Sequence, residues 1–369
     1  EDVVKMAMDH QTFSSKMLNA TRALAASDDP EILEVLASGY PQVATMLTQD
    51  PPLQRRYRKF VDGAFSPANL KSLEPFIEKL ANDLIDAFID EGQCEFLSDF
   101  GVPLPLGVIV NQLGAPAEDL PLFRKWTDAF IGNLSQQLDR DGLLQAAKDM
   151  VEFQHYFVDR MNERRDKPQD DILSKLVNAS IDGEKPLDDA ECLSMISQIL
   201  VAGNETTSAS LTEGIWLLIE NPEQYDLLRN DPSADMISRF VEETLRISSP
   251  SSNMFRRANQ EIEMHGTTIP ENAILFARFA SANQDGNQFP EPERFNLMRN
   301  NLKDQVAFGK GVHHCLGAAL SRREMNIGFK AVLERIENFR LPENSRAPTF
   351  TVNALLHGPT NLDLAFDKI

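Results

Sequence analysis

The 369-residue chain is poor in cysteine, in positive charge and in long apolar runs. Its three cysteines, Cys94, Cys192 and Cys315, lie far apart and form no CxxC pair. An odd, scattered set builds no disulfide framework, and a reducing compartment, the cytoplasm, is the simpler expectation. Thirty-six Lys and Arg stand against 56 Asp and Glu, a net charge of −20. A general nucleic-acid binder would show the opposite excess, so no nucleic-acid partner is expected. No apolar run reaches the roughly 18 residues that suggest a transmembrane helix, and no membrane insertion is expected. No signal peptide opens the chain, and no internal repeat or low-complexity stretch interrupts it.

What the chain does have is apolar residues, 42% of the total, at helical spacing. Three- and four-residue steps predict helices over 1–9, 30–38, 52–65, 67–90, 104–113, 118–133, 141–166 and 170–180. Strand-like stretches cluster late, around 259–276 and 350–366. The reading is a mainly α chain with a minor β-sheet region, one domain over 1–369.

The longest helical pattern runs over about 188–220. Asp188 with Glu191 predicts a capping box, and Asn221-Pro222 supplies the stop. Its middle, Ala202-Gly203-Asn204-Glu205-Thr206-Thr207, breaks the rules of a buried helix. Glycine there costs about 1 kcal/mol against alanine. Two accounts compete: a threonine hydroxyl bonded back to the preceding turn, or a local rule broken for function.

The second unusual stretch is Phe308 to Arg323, FGKGVHHCLGAALSRR. Gly309 and Gly311 predict a tight turn. Cys315 falls just ahead of a predicted helix start, where free N–H groups and the positive dipole end favour a thiolate of low pKa. Free cysteine commonly packs as a small hydrophobe. A single thiolate, however, is also what a haem iron takes from a protein.

Phe308, Gly309, Gly311, His313, Cys315 and Gly317 together spell Phe-Gly-x-Gly-x-His-x-Cys-x-Gly. In this the chain resembles the cytochrome P450 family, and Ala202 to Thr207 matches that family's Ala-Gly-x-Asp/Glu-Thr-Thr. The resemblance covers essentially the whole chain, from Glu1 to Phe366. It implies the P450 fold, with haem b (iron protoporphyrin IX) between the long central helix and the cysteine-loop helix. Cys315 would be the axial iron ligand, Phe308 would cover the sulfur, and Gly309 and Gly317 would shape the loop. His313 would point at a haem propionate. Ala202 and Gly203 would lie against the haem, Gly203 leaving room for O2. Thr206 would hydrogen-bond the distal oxygen, and Glu205 would relay protons, a general-acid role open to a carboxyl group.

Further matches follow from the same resemblance. Arg58 falls on a family propionate ligand, and Gln54 stands where the family has histidine, as a candidate contact to the same propionate. Arg256 would serve the second propionate, with Arg257 its neighbour. Glu243, Arg246 and Arg294 would form a buried structural triad. Leu356-His357-Gly358 would dip into the pocket. Met46, Leu47, Phe123, Trp126, Phe130 and Ile131 could line it, although such a stripe is more often core.

The function implied is a haem-thiolate monooxygenase of soluble bacterial type. It would insert one atom of O2 into a small or medium apolar substrate, by hydroxylation or epoxidation. Electrons would come from NAD(P)H through a ferredoxin reductase and a ferredoxin. Arg55, Arg56 and Arg323 would greet an acidic carrier. The alternatives are a peroxide-driven peroxygenase of the same fold and a non-catalytic haem-thiolate sensor. Glu1-Asp2-Val3-Val4 reads as the start of a helix, and the resemblance implies family strands ahead of it.

Overall fold

The computed structural model describes residues 1–16, 24, 27–135, 137–179, 183, 185–351 and 353–369. Among these, the helices in chain order are α1 Asp2–Met8, α2 Pro30–Ala37, α3 Leu53–Val61, α4 Pro67–Asp86, α5 Pro103–Gln112, α6 Leu120–Ser135, α7 Arg140–Asp166, α8 Ile172–Asn178, α9 Asp189–Glu220, α10 Pro222–Asn230, α11 Ala234–Ser248, α12 Phe279–Asn283 and α13 Ala318–Arg335. The strands are β1 Phe13–Ser14, β2 Gln93–Glu95, β3 Met254–Ala258, β4 Ile262–Met264, β5 Thr267–Ile269, β6 Ile274–Ala277, β7 Ile336–Arg340 and β8 Asp363–Lys368.

Local chemistry explains where the helices begin. Asp29 and Ser66 accept backbone N–H bonds ahead of Pro30 and Pro67, so α2 and α4 each start with a cap and a proline whose fixed φ suits the first turn. Asp139, Asp171 and Ser233 cap α7, α8 and α11 in the same way. In α9 both halves of the Asp188–Glu191 capping box form. At 32 residues this helix is about 48 Å long. Its buried face includes Met195, Ile196, Ile199, Leu200, Leu211 and Ile215.

The sheets are small and antiparallel. One has the order β1-β3-β6, another β2-β8-β7, and β4-β5 is a hairpin. The strands expected around 259–276 begin earlier, at Met254. Of the 350–366 stretch only its end is strand; Phe350 and Leu356 form isolated bridges to Pro359 and Ser251. β1, β2 and β7 escaped the sequence because strands of two to five residues carry too short an alternation to see. Residues 180 and 352, inside two of the expected elements, lie outside the described residues.

Two large apolar clusters flank α9. One joins α4, α11 and α13 through Ile77, Phe240 and Phe329. The other joins α3, α5, α6, α7 and α8 through Tyr57, Leu106, Trp126 and Phe157. The central helix is thus the shared wall, and its middle turn is where both sides meet.

Candidate active site

The loop before α13 is built from its backbone outward. Gly309 and Gly311 have φ of 66° and 72°, the left-handed region that glycine enters without penalty. A Cβ on Gly311 would also stand 2.5 Å from the carbonyl oxygen of Ala7, so α1 closes against the loop there. The Cys315 N–H donates to Phe308 O at 2.9 Å, and His314 N–H to Gly311 O at 3.0 Å. Phe308 is covered in turn by the Arg322 guanidinium, 4.4 Å from its ring centre.

Cys315 is densely enclosed by the fold, yet its side chain keeps open surface, so it faces an interior recess. Burial pushes its thiol pKa up; backbone N–H groups of Gly317 and Ala318, with the charges of Arg58 and Arg322, pull it down. The net direction is up, which corrects the expectation of a low-pKa cysteine. Helix N–H groups at the sulfur do not outweigh desolvation.

The opposite wall is the middle of α9. Ala202 keeps open surface in the heart of this buried helix. The Thr206 hydroxyl donates to Ala202 O at 2.9 Å, the back-bonded form weighed above. Its oxygen lone pairs remain as acceptors. Thr207, the next residue, bonds Ser321 at 3.0 Å and pins this turn to the first turn of α13. Burial raises the Glu205 carboxyl pKa, with Arg124 on α6 opposing and Asp128 adding to the shift. Gly203 is closely packed: Ile109 of α5 stands 2.7 Å from where its Cβ would be. Its missing side chain lets α5 and α9 touch.

Around the loop's other edge lies a set of cations. Arg256 is 6% exposed. Among the described residues it forms no ion pair; it donates to Phe255 O at 2.7 Å. His313 Nε2 is buried without a partner. Desolvation first, then the charge of Arg256, lower its pKa to about 4, with Asp50 opposing. Asp50 accepts from the Ser14 hydroxyl at 2.6 Å and Ser15 N–H at 2.8 Å. Arg58 donates to His314 O at 2.7 Å and Val312 O at 3.3 Å. Gln54 donates to Val312 O at 2.7 Å, and its Oε1 is buried without a partner. Gln54 therefore ties α3 to the cysteine loop. Arg257, beside β1, has an unpartnered Nε.

These residues fit a porphyrin that carries carboxylates. Buried cationic and imidazole groups without a carboxylate partner are costly unless an anion joins them. Among the described residues no cluster of three or more His, Cys, Asp or Glu could chelate a bare metal ion. One sulfur in the recess, with cations at its rim, is the donor set of a group that brings its own four ligands.

Several expected members move. The buried carboxylate Glu243 binds Arg246 through both oxygens, at 2.7 and 2.9 Å, as expected. Its third partner is Arg299, at 2.9 Å, and Arg294 is corrected. The Arg294 side chain is exposed toward Glu291; only its carbonyl joins, accepting from Arg246 and Arg299. Phe123, Trp126 and Phe130 belong to an aromatic core with Phe153, Tyr156 and Phe157. Arg56 pairs with Glu191 and Arg323 with Glu74, which leaves Arg55 the more open cation of the docking trio. The turn at Gly358 does approach α9: its Cβ would stand 2.5 Å from Ala209 Cβ.

The fold and this recess define a mainly helical protein built to present one cysteine sulfur to a carboxylate-bearing prosthetic group. The family pattern for Cytochrome P450 matches residues 109–366. Cytochrome P450 CYP107DY1 of Priestia megaterium is 34% identical over 339 residues, 92% of this chain and 81% of that protein. The Steroid C26-monooxygenase of Mycobacterium tuberculosis is 35% identical over 301 residues, 82% of this chain and 80% of that protein. The solved structure of CYP109Q5 from Chondromyces apiculatus superposes with a TM-score of 0.86 at 29% identity, covering 100% of this chain and 88% of its own. The chain belongs to the cytochrome P450 family, and with it to the haem-dependent monooxygenases. Among the described residues no helix is long and apolar enough to cross a membrane.

Proposed function

We propose that this chain, as a single domain, is a haem b monooxygenase of the cytoplasm with Cys315 as the axial ligand. The observation that carries the reading is the Cys315 sulfur, enclosed by protein, reached by the N–H groups of Gly317 and Ala318, and facing a recess. When bound, the haem supplies the iron at which O2 is held and reduced.

The protein's own residues do the rest. Arg256, His313 and Arg58 hold the propionate side. His313 is the sensitive member, because a carboxylate beside it raises its depressed pKa and gives Nε2 a partner. Thr206 presents hydroxyl lone pairs one turn beyond Ala202, where they could hold a water. Glu205 is a proton store: burial keeps its carboxyl protonated to higher pH than an exposed one, as a relay to an interior site requires.

The substrate is a small or medium apolar molecule, hydroxylated or epoxidised. The names of two relatives, a Steroid C26-monooxygenase and the Polyketide biosynthesis cytochrome P450 PksS, support an apolar substrate class. Electrons come from NAD(P)H through a reductase and a ferredoxin, with Arg55 at the docking face.

The test is spectroscopic. Haem-loaded protein should give the red-shifted Soret band of its reduced carbon monoxide complex. Cys315→Ala should abolish that band, and a retained band would mean another ligand. A screen of apolar compounds for the ligand-induced change in haem spin state then identifies the substrate.

A further inference from the structure

Arg322, near the start of α13, carries none of the roles proposed above, yet it joins three elements around the cysteine loop. Its guanidinium lies over the Phe308 ring, 4.4 Å from the ring centre. The same group binds Glu242 of α11 through two nitrogens, Nε to one carboxylate oxygen and Nη2 to the other at 3.1 Å. Nη1 turns back to Ala318 O at 3.4 Å. Glu242 has a further partner. Gln305 Nε2 donates to its Oε2 at 3.0 Å, and Gln305 Oε1 accepts from Ala307 N–H at 2.7 Å. One carboxylate therefore holds both the side chain that covers Phe308 and the residue that ties the backbone just before it.

Both contacts of Arg322 lead to Cys315. The Phe308 carbonyl accepts from the Cys315 N–H at 2.9 Å, and the Ala318 N–H reaches the sulfur. Two guanidinium charges act on that sulfur, those of Arg58 and Arg322. Arg58 is turned to the carbonyls of Val312 and His314. Arg322 is the one balanced by a two-pronged carboxylate. The Glu242 side chain is 17% exposed and that of Arg322 35%, so solvent screens the pair only in part. Arginine suits the position because its planar fork grips both carboxylate oxygens while its face lies on an aromatic ring.

We infer that Glu242 and Arg322 are positioning residues that set how strongly the Cys315 sulfur donates to the haem iron. This rests on the monooxygenase reading above. The Arg322 charge draws electron density from the thiolate and so favours the reduced state of the site, which carries one more negative charge. Glu242 offsets that charge and holds the guanidinium on Phe308. The two charges are opposite, so removing one or the other moves the reduction equilibrium in opposite directions. A merely structural pair behaves differently, because losing either partner loosens the same contact.

The experiment is a redox titration of haem-loaded protein, by dithionite with mediator dyes, on the parent, Glu242→Gln, Arg322→Gln and the double variant. Glu242→Gln keeps the shape of the side chain and an acceptor for Gln305, and leaves the Arg322 charge uncompensated. It should favour one-electron reduction about threefold to tenfold, a rise of about 28–59 mV at about 59 mV per tenfold. Arg322→Gln should disfavour reduction by a similar factor, and the double variant should return to within about twofold of the parent. Arg322→Lys, which keeps the charge without the fork, should fall between Arg322→Gln and the parent. All variants should keep the shifted carbon monoxide band, since Cys315 remains the ligand. Single variants that shift in the same direction, or that do not shift, would overturn the inference; so would loss of the band in Glu242→Gln, which would make the pair structural. A parent protein without the band would instead sink the monooxygenase reading itself.

Discussion

The cysteine loop and the segment at 39–48 are built in opposite ways. Around Cys315 the ties are backbone to backbone: Cys315 to Phe308, His314 to Gly311, Gly309 to Val306. Behind the loop stands a buried ionic cluster. Arg246 binds Glu243 and donates to Asn283 O at 2.8 Å; Asn283 Oδ1 then accepts from Val306 N–H at 2.7 Å, two residues before Phe308. The segment at 39–48 is tied by side chains instead: Gln154 Oε1 accepts from Tyr40 N–H, Ser194 Oγ from Val43 N–H and Gln198 Oε1 from Leu47 N–H. The side that holds the prosthetic group is fixed by elements no single surface substitution removes. The segment at 39–48 is fixed by bonds that one substitution can delete.

The contrast can be broken by measurement. The largest effect is expected at the buttress: Arg299→Ala should cost about 3–5 kcal/mol in denaturant unfolding, since it strips a partner from a fully buried carboxylate. A cost below about 1 kcal/mol would show that the cluster does not support the loop side.

A pH effect comes next, from the wall shared by both regions. Glu213 on α9 is buried with one oxygen unpartnered, and burial raises its pKa to about 8. The folded state then holds a proton that the unfolded state releases above its usual carboxylate pKa. Stability should therefore fall by a few kcal/mol as pH rises from about 4.5 through about 8, and Glu213→Gln should flatten that slope. An unchanged slope in the variant would assign the effect elsewhere.

At the segment 39–48, Gln154→Ala should cost about 1–2 kcal/mol, less than Arg299→Ala, because the freed Tyr40 groups can reach water. An equal cost would erase the distinction between the two regions. The smallest effect belongs to Arg294→Ala, within about 0.5 kcal/mol, since its exposed pair with Glu291 contributes little. A loss comparable to that of Arg299→Ala would restore Arg294 to the triad.

Much of this was legible beforehand, and the reasons are local. Asp188, Glu191 and Asn221-Pro222 marked the ends of α9 because caps and stops act within a few residues. Gly309 and Gly311 marked the turn before Cys315 because only glycine enters that region freely. The Arg299–Glu243 contact was not legible, because the two are joined across 56 residues and neither carries a sign of the other. The same holds for Gln154, whose partner is a backbone 114 residues away.

By itself the sequence determined the helices, the order of the motifs and the one cysteine placed to meet a metal, since propensity, capping and spacing are properties of neighbouring residues. Tertiary structure alone decided that Gly203 packs against Ile109, that burial raises the Cys315 pKa, and that Gln154 and Gln198 bind the backbone of Tyr40 and Leu47. Those outcomes depend on what lies across a gap in space, and burial sets the energy of a charge or an unpaired polar group more strongly than the identity of its neighbours along the chain.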